Sequence, residues 1–287
     1  MAFRTVIISS HSKLEYSLNY LVFKTVDEIK RINISEIQTL IIESTAVSIT
    51  SALMIELSKR RIKVIFCDEK KSPFSELIPY YGDTLTVKRI NEQISWEQEI
   101  KDLIWSNIVK EKISNQASVL KLVSKADADG LLDFTNDITP GDKTNREGHA
   151  AKVYFNRIYG NDFTRGNNHK NNIYLNYGYA LLLSQFNKAI VSSGYLTQIG
   201  IHHKNDNNQF NFSCDLMEPY RPLIDKKVFE LNDDNYKEEL VKLLSSNVTI
   251  ANQSQTLVNA INLYCKSIFL ALNTKDLSVI KHFKIDE

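Results

Sequence analysis

Two hydrophobic rhythms divide the chain. In its first part, TVIISS, KLEYSLNYLVFKT and TLIIES set β-branched or alternating apolar residues between polar turn-like stretches, which predicts strands. Thr50 precedes SALMIELSKRR, a short amphipathic helix with Leu53, Met54 and Leu57 inward. IKVIFCD reads as a buried strand, and ELIPYY as another with Pro79 near its end. This β-rich module finishes near Gly82-Asp83.

From about Thr86 to Lys125 the spacing becomes helical, with Ile90, Ile94, Ile100, Leu103, Ile104, Ile108, Ile113, Val119 and Leu122 at short helical intervals. ADADGLLDFTNDITPGD is a turn-rich interruption. Helical patterns resume at Thr144 to Tyr159, Tyr174 to Val191, around Asp215 to Leu231, Glu238 to Leu244 and Ser254 to Leu272. The Asn-rich loops NDFTRGNNHKNN and HHKNDNNQFN read as mobile segments suited to ordering around a polyanion. The expected class is α+β: a small β-rich N-terminal domain over residues 1–86, then a larger all-helical domain over 87–287. No repeat, heptad run or Gly-rich phosphate loop intervenes.

One helical stretch carries a residue out of place. With successive side chains about 100° apart, Ala150, Ala151, Tyr154 and Ile158 share a face, while Arg146, His149, Lys152 and Asn156 turn away. Glu147 falls within the apolar stripe. A capping box between Thr144 and Glu147 accounts for it locally. A functional reading requires a cation, a metal or a substrate proton nearby, since an unpaired buried carboxylate neutralises.

Composition adds bounds. A chain of 287 residues, 43% hydrophobic and 24% charged, can bury a sizeable core. No run approaches a membrane span, and Met1-Ala2-Phe3-Arg4 leads into a strand rather than a signal peptide, so the expected location is the cytoplasm. Cys67, Cys214 and Cys265 are widely spaced, as reduced thiols would be. The net charge of +1 averages over unlike regions. Between Lys143 and Lys170 six basic residues stand against two acidic ones, interleaved with Tyr154, Phe155, Tyr159 and Phe163. Lys143, Arg146, Lys152, Arg157 and Arg165 are thereby candidate phosphate contacts.

Candidate metal chemistry comes from two later motifs. In SCDLMEPYRPLID, Asp215 and Glu218 share a helix face, with Arg221 close by and Pro219 and Pro222 stiffening the turn. Helix-end stabilisation and ion pairing are the plain alternatives. GIHH offers His202 or His203 beside a polar loop. Carboxylates with one imidazole suit Mg²⁺ or Mn²⁺ on phosphate esters, whereas zinc favours more His or Cys.

The ordered segments NREGHAAKVYFN, NxxLNYGYALL from Asn172, GIHH and DLMEPYRP resemble the CRISPR-associated spacer-acquisition integrases, particularly those of type II systems. The resemblance extends over essentially the full chain. It implies Glu147, His203 and Glu218 as catalytic metal ligands, with His202 as a local competitor for His203. It implies Asp215 as a supporting or second-metal residue and Arg221 as a residue that orients Glu218 or contacts phosphate. Asn172 and Tyr177, in the second segment, are added as candidate DNA contacts. The implied protein is a homodimer formed through the β-rich domains, assembling with a small ferredoxin-like partner dimer that bridges two integrase dimers, with room for other adaptation factors. Its substrates are double-stranded prespacer DNA and CRISPR repeat DNA, and its reaction joins 3′-hydroxyl ends to the repeat. A plain metal-dependent nuclease uses the same residues, and a DNA-binding scaffold would need none of them.

Overall fold

The computed structural model describes residues 4–79, 85–123, 128–231 and 235–285. Tyr80 and Tyr81 of the expected ELIPYY strand, the Gly82-Asp83 break and residues 124–127 lie outside them. The chain divides into two compact units, Met1–Gly82 and Asp83–Glu287.

In the first unit the strands are β1 (Arg4–Ile8), β2 (Ser12–Ser17), β3 (Tyr20–Lys24), β4 (Ile29–Asn33), β5 (Ile37–Ile42) and β6 (Val47–Ile49). Helix α1 (Ser51–Lys59) follows, then β7 (Lys63–Cys67) and β8 (Pro73–Glu76). One sheet runs β1-β5-β7-β8, parallel except for β8, and the other runs β4-β3-β2-β6. The run Thr39 to Ile42 is buried throughout, as befits an inner parallel strand. Thr50 caps α1 by accepting from the Leu53 N–H, and Leu53 and Leu57 enter a core shared with Ile8, Leu14, Leu21, Leu40 and Val64.

Two local expectations are corrected here. KLEYSLNYLVFKT is a hairpin rather than one strand: Leu18 and Asn19 turn the chain with φ of 47° and 67°. Both central residues of such a turn need positive φ, and Leu-Asn lacks the Asn-Gly signature. Among the described residues, the last strand of this unit is Pro73–Glu76, which overlaps the expected ELIPYY only at Glu76.

The second unit contains α2 (Thr86–Ser95), α3 (Gln98–Val123), α4 (Asp129–Leu132), α5 (Arg146–Tyr159) and α6 (Lys170–Ser192). After α7 (Asn211–Met217), a 3₁₀ turn over Glu218–Tyr220 leads into α8 (Arg221–Glu230). Then come α9 (Tyr236–Leu243), β9 (Asn247–Ile250), β10 (Gln253–Thr256), α10 (Leu257–Thr274) and β11 (Phe283–Lys284). This unit is mostly helical and also carries an antiparallel sheet, β10-β9-β11, which the pattern did not predict. Ser254 therefore lies in a strand, and the final helix starts at Leu257.

Helix α3 is the axis of this unit, packing against α5, α8 and the Glu218–Tyr220 turn. Its weak amphipathicity reflects burial on several sides, from Ile100 to Leu120. Helices α6 and α8 approach so closely at Gly178 that a Cβ there would lie 2.5 Å from Ile224 Cγ2. Only glycine permits that spacing without displacement.

Candidate active site

The row Ile104, Ile108, Lys112, Gln116, Leu120 steps along α3 at four-residue intervals and is buried at every position. Two polar residues in an apolar row need partners, and Lys112 has found two. Its ammonium lies 2.6 Å from Glu147 Oε1 and 2.5 Å from Glu218 Oε2. The side chains are 10%, 20% and 5% exposed for Lys112, Glu147 and Glu218.

The start of α5 explains why Glu147 is available. Asn145, in the left-handed region at φ 53°, accepts from the Gly148 N–H at 3.2 Å. Asp142 accepts from the N–H groups of Arg146 and Glu147, both at 2.9 Å. These two residues cap the helix, so the capping box between Thr144 and Glu147 is corrected, and the Glu147 carboxylate turns to Lys112 instead.

Glu218 begins the turn after α7, where Pro219 interrupts the regular helix. Arg221 Nε lies 2.9 Å from its other oxygen, Oε1. Burial pushes the Glu218 carboxyl up, but Arg221, Lys112 and His203 together outweigh it and hold it below its ordinary value. For Lys112, burial opposes the charge, while Glu218 and Glu147 overcome it and raise the pKa. Both groups are therefore ionised at neutral pH.

The histidine loop is organised by a single buried acid. Asp215, fully buried in α7, accepts from the backbone N–H groups of Ile201, His202 and His203 at 2.7, 3.1 and 3.0 Å. Its Oδ1 also meets His203 Nδ1 at 2.5 Å. Gly200 makes this possible, because a Cβ there would lie 2.6 Å from Asp215 Oδ2. Upstream, Gln93 of α2 donates to the carbonyls of Leu196 and Ile199 and accepts from the Leu196 N–H. The hydrogen bond to Asp215 raises the His203 pKa, and Glu218 and Glu147 act in the same direction. With Nδ1 held by a carboxylate, Nε2 is the nitrogen left for a ligand. His202 differs: its ring stacks on Trp105 at 4.1 Å and 4°, and burial lowers its pKa. A cleft of ≈ 470 Å³ opens beside His203, with Lys101, Lys204, Gln198, Asn205 and Asn211 among its lining residues.

Could these residues hold a divalent cation? Among the described residues, no three His, Cys, Asp or Glu side chains already form a metal cage. The two glutamates do converge on one positive charge, with the Lys112 ammonium standing in for a cation. Hard carboxylate oxygens beside an oriented imidazole fit Mg²⁺ or Mn²⁺ in kind and charge. Asp215, with its oxygens committed to three N–H groups and an imidazole, suits the supporting role better than a second-metal role.

The candidate DNA contacts separate on burial. Lys143 and Lys152 are exposed, whereas Arg146, Arg157 and Arg165 are half-buried. Arg146 faces Asp137 at 3.6 Å. Arg165 donates to Asn172 and, at 2.7 Å, to Asn176, and lies over the Tyr179 ring. Asn172 and Tyr177, by contrast, are 5% and 2% exposed. Asn172 is spent on the loop, its Nδ2 donating to the Thr164 and Asn167 carbonyls, and Tyr177 packs edge-on against Tyr236.

The Asn-rich loops carry side-chain hydrogen bonds to their own backbone. Asn167 donates to the Asp162 carbonyl, and Asn211 to those of Gln198 and Asn205. Short amide side chains imitate backbone partners, which is why such loops favour Asn. Lys112, Trp105 and Asp142 were the residues that sequence reasoning missed. The available signal for Lys112 was a charge placed on the apolar register of α3.

A family model described as CRISPR associated protein Cas1 matches residues 5–250. The chain belongs to the Cas1 family. A CRISPR-associated endonuclease Cas1 from Neisseria meningitidis serogroup C (strain 8013) is 28% identical over 291 residues, covering 98% of this chain and 96% of the relative. Among solved structures, a casposase bound to integration product aligns with a TM-score of 0.77 at 19% identity, over 96% of this chain and 92% of that one. A chain of a Cas6-RT-Cas1–Cas2 complex aligns with a TM-score of 0.75 at 16% identity. That alignment covers 99% of this chain but 36% of the other, so this Cas1-family chain spans about a third of that longer one. At these identities the structural likeness establishes the Cas1 fold.

Proposed function

We propose that this protein is a CRISPR adaptation integrase that joins the 3′-hydroxyl ends of prespacer DNA to a CRISPR repeat. The observation that carries the reading is the convergence of Glu147 and Glu218, from separate elements, on one buried cation near an Asp-oriented His203. Glu147, His203 and Glu218 are the proposed ligands of Mg²⁺ or Mn²⁺. A bound ion would supply positive charge against the phosphate oxygens of the scissile linkage.

The remaining work belongs to the chain. Lys112 keeps the two carboxylates together, and with Arg221 balances their charge, at the position a bound ion would take. Asp215 fixes the His203 tautomer and ring direction, and Arg221 braces Glu218. In the reaction, the prespacer 3′-hydroxyl gives up its proton as its oxygen bonds to phosphorus, the P–O bond to the 3′-oxygen of the target strand breaks, and that leaving oxygen takes up a proton. Holding both strands in line makes the attack effectively intramolecular.

Lys143, Lys152 and the half-buried arginines of α5 and its following loop are the proposed phosphate contacts. The β-rich unit is the proposed homodimer surface, and the helical unit is the proposed catalytic domain. By analogy with the complex of the longer relative, the assembly includes a Cas2-type partner, proposed to be a small ferredoxin-like dimer bridging two integrase dimers. Among the described residues no helix is long and apolar enough to cross a membrane, and the proposed location is the cytoplasm.

The decisive experiment removes the attacking oxygen. Prespacer DNA with dideoxy ends keeps its phosphates, so it should bind yet yield no joined product. Ordinary 3′-hydroxyl ends should give branched intermediates with the repeat. If dideoxy ends leave target-strand cleavage undiminished, water is the nucleophile and the nuclease reading replaces this one.

A further inference from the structure

The last described residues are fastened to the same helix and the same turn that carry the candidate site. β11 is an edge strand, paired with β9 through Phe283 with Ile250 and Lys284 with Thr249. An edge strand presents unpaired backbone groups on its outer side. Here α3 meets them with side chains. The Phe283 N–H donates to Glu111 Oε1 at 2.6 Å, and the Ile285 N–H donates to Asn115 Oδ1 at 3.2 Å. The Phe283 carbonyl accepts from Asn115 Nδ2 at 3.2 Å. Four helical residues rise about 6 Å, close to the roughly 6.6 Å of two strand residues. The spacing of Glu111 and Asn115 therefore matches that of Phe283 and Ile285. The second Glu111 oxygen meets His282 Nδ1 at 2.7 Å.

Asn115 also reaches into the candidate site's framework. Its Nδ2 donates to the Pro219 carbonyl at 2.9 Å, one residue after Glu218. The next residue, Tyr220, is fully buried and stacks on the Phe283 ring at 4.1 Å and 12°. Pro219 has no N–H, so the turn has one fewer backbone donor with which to fix itself. Both residues that follow Glu218 thus lean on β11, one through an amide and one through a ring.

We propose that His282–Ile285 is a positioning strap for Glu218, acting through Asn115 and Tyr220, and that it sets how well this carboxylate meets a divalent ion. The inference rests on the reading of Glu218 as a metal ligand. Asn115 and Phe283 touch neither substrate nor ion in this role. They fix the turn from which the ligand projects.

The test is Mn²⁺ binding to the full chain without DNA, measured by calorimetry, alongside Tm and the kcat and KM of strand joining. The variants are Asn115→Leu, Phe283→Leu and Glu218→Gln, with Leu240→Ala as a destabilised control on α9. The expected result is a roughly tenfold weaker Mn²⁺ affinity in both strap variants, the size of effect seen when a ligand's supporting partner is lost. Their kcat should fall with little change in KM for DNA, while Leu240→Ala keeps the parental affinity at a similarly lowered Tm. Should Asn115→Leu fail to fold, Phe283→Leu decides, because it keeps the strand's backbone bonds. Strap variants within twofold of the parental affinity, with Glu218→Gln weakened, would overturn the strap alone. An unchanged affinity in Glu218→Gln would remove the ligand reading and the strap's role together.

Discussion

Replacing Lys112 with methionine isolates the cation at the centre of the proposed site. Methionine keeps most of the buried stem and deletes the ammonium that bridges Glu147 Oε1 at 2.6 Å and Glu218 Oε2 at 2.5 Å. Breaking a buried pair by removing one partner costs about 3–5 kcal/mol, because the other charge is left uncompensated. Two features argue for the lower end. Glu147 is one-fifth exposed, and Arg221 still lies 2.9 Å from Glu218. A loss of about 3 kcal/mol in a unit of this size lowers Tm by roughly 6–12 °C. Divalent metal should then reverse the loss, since the vacated carboxylates no longer have an ammonium to displace. Mn²⁺ at a hundred times its Kd adds about 2.7 kcal/mol to any folded state that binds it. The variant should reach that saturation at lower metal concentration than the parent. The assay is thermal unfolding of both proteins in EDTA and across a Mn²⁺ series. A Tm difference that is absent in EDTA, or that Mn²⁺ leaves untouched, would refute the reasoning.

Three further outcomes are expected. Glu147→Ala, His203→Ala and Glu218→Ala should each abolish strand joining with much DNA binding retained, while His202→Ala is mild; gel assays of joined product check this, and full activity in any two of the first three removes the assignment. DNA affinity should fall steeply with salt, and Lys143→Ala or Lys152→Ala should lower the slope by about one while weakening different sequences equally; affinity that is flat across salt contradicts the electrostatic reading. Asp225, 1% exposed and held by the Tyr179 hydroxyl, has its carboxyl pushed by burial from 3.8 up to about 6. The folded chain then binds a proton that the unfolded chain has released, so this group's contribution to stability is full below about pH 4 and is lost as pH rises through 6. That shift corresponds to about 3 kcal/mol. Urea unfolding at pH 5 and pH 8 should show the decline in the parent and little of it in Asp225→Asn, and equal slopes would count against the assignment.

The sequence by itself determined the strands at Arg4–Ile8, Ile37–Ile42 and Lys63–Cys67, the Thr50-capped helix and the long helical run that follows, because each depends on periodicity within a few turns of chain. It also marked Glu147 as misplaced, since a charge in an apolar stripe is visible wherever the helix docks. Tertiary structure decided what that charge meets. Lys112 lies 35 residues away along the chain, and Glu218 a further 71 beyond Glu147, so no local spacing relates them. The same holds for the cap: Asp142 took the Glu147 N–H that a Thr144–Glu147 box would have used, and Asn145, in the left-handed region, caps the helix instead. Asn172 and Tyr177 were candidate DNA contacts in the NxxLNYGYALL segment, and packing against a loop and a neighbouring helix buried them. The short C-terminal strand was too brief to show a period. It exists because β9 supplies one edge of hydrogen bonds and Glu111 and Asn115 of α3 supply the other, a pairing set by position in space rather than by neighbours in sequence.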